Sequence, residues 1–77
     1  MNKRLLKAIF KIVSSDHAVQ PDNKPVYPGQ LLEAGFSADT LAGELKELEN
    51  NGLIRFMHSE ANIVSLTRSG VMIAEVV

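Results

Sequence analysis

The sequence predicts a small, mostly helical α+β domain, and three observations carry that expectation. Apolar residues recur at helical spacing in four separate segments, with turn residues between them. After Gly52 the period changes, and two short runs rich in β-branched and apolar residues follow. The chain has 77 residues, 45% of them hydrophobic, which suits one domain over residues 1–77 built on one core.

Lys3 to Val13 is expected as an amphipathic helix. Leu5, Leu6, Ile9, Phe10, Ile12 and Val13 form its apolar side, while Lys3, Lys7 and Lys11 stand on the other at four-residue spacing. Such a stripe is either a solvated face or an anion-binding one. Ser14 to Tyr27 reads as a turn-rich connection, because Pro21 and Pro25 break any helical period. A connection this long in so small a domain is expected to be a mobile segment or a contact surface. Val26 and Tyr27 can end it as a short edge strand. Asp16 and His17 are neighbours in sequence, but adjacent side chains rarely face one site and no second cluster completes a metal or catalytic set.

Pro28 to Ala34 is expected as a short helix, with proline at its first position, Leu31 and Leu32 on the buried side and Gly35 as its end. Only Gly35 and Phe36 then precede Ser37. Two helices joined by a tight turn containing glycine make a helix-turn-helix.

The helix from Ser37 to Asn50 has the strongest local signals. The Ser37 hydroxyl is placed to accept an orphan N–H of the first turn. Phe36 and Leu41 have the spacing of a hydrophobic staple, and Asp39 suits the positive end of the helix dipole. Leu41, Leu45 and Leu48 form the inward stripe. Gly52 is expected as the left-handed residue that closes the helix, with Leu53 folding back on Leu48. Leu53 to Met57 and Ile63 to Thr67 are the expected hairpin strands. The polar link runs from His58 to Asn62, where Asn62 best tolerates a left-handed conformation. Thr67 can cap a last helix, Arg68 to Val77, which is apolar on most sides.

Composition narrows the function classes. There is no cysteine, hence no disulfide, thiolate metal site or cysteine nucleophile. No apolar run approaches the roughly 20 residues that span a bilayer. No signal-peptide core follows the basic N-terminus, so a cytoplasmic protein is expected. No nucleophile, base and orienting group can be assembled, which argues against an enzyme, and nothing calls for a cofactor or metal. Net charge is −1, but it is unevenly placed. Residues 1–13 carry Lys3, Arg4, Lys7 and Lys11 and no acid, whereas residues 33–60 carry six acids against Lys46 and Arg55.

The order helix, loop, short helix, turn, helix, hairpin, helix resembles a winged helix-turn-helix domain. The passage LAGELKELENNGLIRF is similar to the long-helix-into-wing passage of the MarR-type bacterial regulators and their relatives. Leu66 to Gly70, LTRSG, resembles the Leu-Thr-x-x-Gly that often follows their wing. The resemblance covers about residues 28–70 and implies a small bacterial or phage-type transcriptional regulator that binds double-stranded DNA. In such proteins the second helix of the pair enters the major groove and the wing touches backbone or minor groove. Carried over, it implies nucleic-acid contacts by Thr40, Gly43, Lys46, Asn50, Arg55 and His58. Gly43 would let a backbone approach closely, or is merely a poor helix former tolerated at an exposed position.

The charge departs from that pattern. Asp39, Glu44, Glu47 and Glu49 on the reading helix and Glu60 in the hairpin link stand where DNA binders usually carry Arg and Lys. Lys46 and Arg55 allow about two phosphate contacts, where a strong binder makes roughly six to ten. A single copy is therefore expected to bind DNA weakly. The alternative is a winged-helix protein–protein interaction module that uses the acidic helix or the Pro-rich loop and does not bind DNA. A homodimer is also expected, through Val71, Met72, Val76 and Val77 on the last helix.

Overall fold

The computed structural model describes residues 2–14, 24–58 and 60–76. Among them run α1 (Lys3–Ser14), α2 (Pro28–Glu33), α3 (Ala38–Asn50), β1 (Ile54–His58), β2 (Ile63–Leu66) and α4 (Arg68–Val76). The result is a mostly helical α+β arrangement of four helices and a two-stranded antiparallel hairpin. Asp16, His17, Pro21 and most of the expected contact loop, together with Ser59 and Val77, lie outside the described residues.

Three helices begin, and α3 also ends, for local reasons. Asn2 starts α1, its Oδ1 accepting the Leu5 N–H at 3.0 Å. At α2 the Gln30 side chain does the capping, accepting the Tyr27 N–H at 2.9 Å while Pro28 occupies the first turn. Tyr27 thus belongs to the helix cap. Of the expected edge strand, only Val26 pairs, exchanging hydrogen bonds with Val64 at 2.7 and 3.1 Å. Ser37 caps α3, its hydroxyl accepting the Asp39 N–H at 3.3 Å. At the far end Gly52 takes φ +75°, its N–H donates to Glu49 O at 2.9 Å and the Leu53 N–H donates to Leu48 O at 3.1 Å. These two bonds define the Schellman motif.

The hairpin pairs Ile54 with Leu66, Arg55 with Ser65 and Phe56 with Val64, then resumes at His58 with Ile63. Met57 is the extra residue of a bulge. His58, expected in the link, is therefore the last residue of β1, and Thr67, expected in the second strand, lies beyond β2. The link is residues 59–62, and Asn62 has φ +55° as its tolerance suggests.

One buried cluster gathers every element. It contains Leu5, Leu6, Ile9 and Val13 from α1, Leu31 from α2, and Leu41, Leu45 and Leu48 from α3, while Leu32, expected inside with Leu31, is exposed on the other side of its short helix. Leu53, Ile54, Val64, Leu66 and Ala74 complete the side contributed by the hairpin and α4, with Val26 beside them. Burying a Leu or Ile side chain contributes about 1.5–3 kcal/mol. Phe10, Phe36, Phe56, Val71 and Ile73 pack around the cluster half-buried.

Helix α4 sits on the turn that ends α3. Thr67 ties the two, its hydroxyl donating to Gly52 O at 2.6 Å and accepting the Gly70 N–H at 3.0 Å. Gly70 is buried, and a Cβ there would collide with the Leu53 carbonyl. Its place in the first turn of α4 suggests only that a weak helix former is tolerated there. The structure gives another reason, a close approach between helix and backbone that no side chain permits.

Candidate functional site

The inward stripe of α3 decides which of its residues face out. With Leu41, Leu45 and Leu48 buried, helical geometry turns Asp39, Thr40, Gly43, Lys46, Glu47 and Asn50 away from the core, and all six are exposed. Thr40, Gly43, Lys46 and Asn50 therefore share one outward face. Nothing lies within 4 Å of where a Gly43 side chain would begin, so the space there is open. Glu44 and Glu49 flank the face half-buried. One Glu44 carboxylate oxygen is buried without a hydrogen-bond partner.

The hairpin continues from this helix, and α3 packs against β1. Arg55 and His58 are exposed on β1, as is Met57 between them. Arg55 is anchored: its Nε donates to Ser65 Oγ at 3.1 Å, across the register pair. Ser65 is fully buried, so the guanidinium satisfies a hydroxyl that would otherwise be stranded. The sequence signal for this pair, an arginine opposite a serine, becomes visible only once the register is known.

No family model, curated protein or solved structure matches the chain.

Across α3 and the hairpin, five acids (Asp39, Glu44, Glu47, Glu49, Glu60) stand against two bases (Lys46, Arg55), a net of −3 with histidine neutral. The outward line of α3 is more even, with Asp39 and Glu47 against Lys46 and neutral Thr40, Gly43 and Asn50 between them. Such a surface can hydrogen-bond a polar partner, but it gives little long-range attraction to a polyanion.

The residues expected at a dimer contact separate. Met72 and Val76 are 62% and 79% exposed, while Val71 is half-buried against the chain's own core. Val77 lies outside the described residues. Among the described residues, no three His, Asp or Glu side chains are grouped to hold a metal, and no helix is long and apolar enough to cross a membrane.

The basic stripe of α1, read from the sequence as a solvated or an anion-binding face, has a tertiary partner that the sequence does not show. Arg4 stands over the Phe36 ring, 5.1 Å from its centroid, and so links α1 to the turn between α2 and α3. Arg4 was visible only as one of four basic residues, because its partner lies far along the chain.

Proposed function

We propose that the chain is a winged helix-turn-helix domain of a small transcriptional regulator, with α3 as the reading helix and the hairpin as the wing. One observation carries this reading: Thr40, Gly43, Lys46 and Asn50 lie exposed on one face of a helix that leads directly into an antiparallel hairpin bearing exposed Arg55 and His58. Thr40, Lys46 and Asn50 can donate to phosphates or base edges, and the open space at Gly43 lets a backbone come close. Binding by one copy is weak, because two cations release few counterions.

A titration of labelled duplex against the wild type and Glu47→Lys tests the reading. The added cation in place of an acid raises affinity and steepens its salt dependence by about one to two contacts. Equal affinities for the two proteins would remove α3 from any DNA interface.

Pairing would offset the weakness. A two-fold axis beside α4, covering the exposed Met72 and Val76, sets two reading helices on one duplex and doubles the basic contacts. Sedimentation equilibrium checks this: the wild type dimerises and Met72→Glu does not. A wild type that stays monomeric at high micromolar concentration would remove the dimer.

A second reading is favoured by the net charge of −3 over α3 and the hairpin. It makes the same surface a protein-interaction module that takes a basic partner segment. In the duplex titration it predicts no binding by either protein.

A further inference from the structure

A groove of about 680 Å³ lies over α1, lined also by the turn between α2 and α3 and by the end of α4. Its apolar lining includes Ala8, Phe10, Phe36 and Ala74. Arg4, Lys7 and Lys11 form a cationic ridge along it, with no acidic residue anywhere in α1; Glu75 of α4 is the one acid in the lining, which leaves three cations against one. At about 1.5 Å per residue, the three charges span roughly 10 Å of helix axis. The Arg4 guanidinium over the Phe36 ring holds one of these cations against the apolar lining.

We propose that this groove docks an acidic amphipathic helix from a partner protein. A helix laid along α1 would seat apolar side chains on Phe10 and Phe36, with its Asp or Glu residues facing Arg4, Lys7 and Lys11. The ridge residues stand three and four positions apart, which matches the spacing of acids along one helical face. Shape and charge together select this occupant. The groove is open to solvent, whereas a small ligand is typically held in a site that buries about 70–90% of its surface. Duplex DNA would meet the cations but has nothing to set against the two phenylalanines. A second copy could bring its acidic α3, but the outward face of that helix carries no large apolar side chain. A lipid surface would need the apolar face of α1, and Leu5, Leu6, Ile9 and Val13 are already fully buried.

The groove shares no residue with the α3 and hairpin surface, so it stands independently of the DNA reading. The probe is a labelled peptide of about 18 residues, long enough to form a helix. It carries Leu along one face and Glu on the flanks, and a control peptide carries Lys for every Glu. By fluorescence anisotropy the Glu peptide binds the wild type and the Lys peptide does not. Lys7→Glu/Lys11→Glu weakens binding by roughly tenfold or more, and added salt weakens it in the wild type. Ala34→Glu, at an exposed lining position, also weakens it. Circular dichroism confirms that the variants fold. No binding of the Glu peptide at high micromolar protein, equal binding of the Lys peptide, or unchanged binding by the double variant would each overturn the proposal. So would a double variant that loses affinity for duplex DNA while the wild type ignores the peptide, since the ridge would then be a phosphate contact.

Discussion

Helices α1 and α3 face inward alike and outward in opposite ways. Each buries a stripe of aliphatic side chains in the same core, Leu5, Leu6, Ile9 and Val13 in one and Leu41, Leu45 and Leu48 in the other. Outward, α1 exposes Lys3, Arg4, Lys7 and Lys11, and α3 exposes Asp39 and Glu47 with Lys46 alone in opposition. The dipole favours Lys11 in the last turn of α1 and Asp39 in the first turn of α3, but it does not explain the other charges. Lys3 and Arg4 sit in the first turn of α1, and Glu47 and Glu49 sit in the last turn of α3, which are in each case the unfavourable ends. Lys3, Lys7 and Lys11 also repel one another at four-residue spacing. Both helices keep charges that their own stability disfavours, so the outward faces are where function is to be sought.

The largest effects test the half of the comparison in which the helices agree. Leu6→Ala in α1 and Leu45→Ala in α3 each remove a fully buried side chain, and each is expected to destabilise the protein by about 2–5 kcal/mol. Urea denaturation measures both. A small loss at Leu6 alone would make α1 an accessory to a core built by the other elements, and the likeness would fail.

Next in size is the seat of α4, which packs on α1 and rests on the turn that closes α3. Alanine at Gly70 would raise helix propensity by roughly 1 kcal/mol. It would also drive a methyl group into the Leu53 carbonyl, an overpacking of about 1–3 kcal/mol against backbone that cannot swing aside. The overpacking is expected to win, so Gly70→Ala melts at a lower temperature. A variant as stable as the wild type would show that α4 has room to shift, and that α1 and α3 are joined less rigidly than the Thr67 hydrogen bonds suggest.

Gly70 also marks where the sequence stops being legible. The start and end of α3 were readable because their causes are local: Ser37 with Asp39, and Gly52 with Glu49. The core was readable for the same reason, since helical period alone points Leu41, Leu45 and Leu48 inward. That period also made the exposure of Thr40, Gly43, Lys46 and Asn50 legible. What stayed hidden depends on partners distant in sequence. The Leu53 carbonyl beneath Gly70, Ser65 under Arg55 and Phe36 beneath Arg4 are all set by tertiary placement, with no local pattern to announce them. The groove on α1 is illegible for that reason, being lined by residues from well-separated parts of the chain.

The smallest effect tests the half of the comparison in which the helices differ. Lys46 and Lys7 are both exposed lysines on helices, so alanine at either should change stability by less than about 0.5 kcal/mol. On duplex DNA they should part. Lys46→Ala is expected to lower affinity across sequences and flatten the salt slope by about one unit, while Lys7→Ala leaves both unchanged. Arg55 complicates the same measurement, because its Nε also holds the buried Ser65 hydroxyl. Arg55→Ala removes a charge and strands a hydroxyl, so its loss of DNA affinity would be mixed with a loss of stability. Arg55→Lys separates the two: it keeps the positive charge and the salt slope, but a lysine lacks the fixed side-chain N–H that reaches Ser65. If Lys7→Ala flattens the slope and Lys46→Ala does not, the phosphate contacts lie on α1. The outward faces of the two helices would then have exchanged the roles assigned to them.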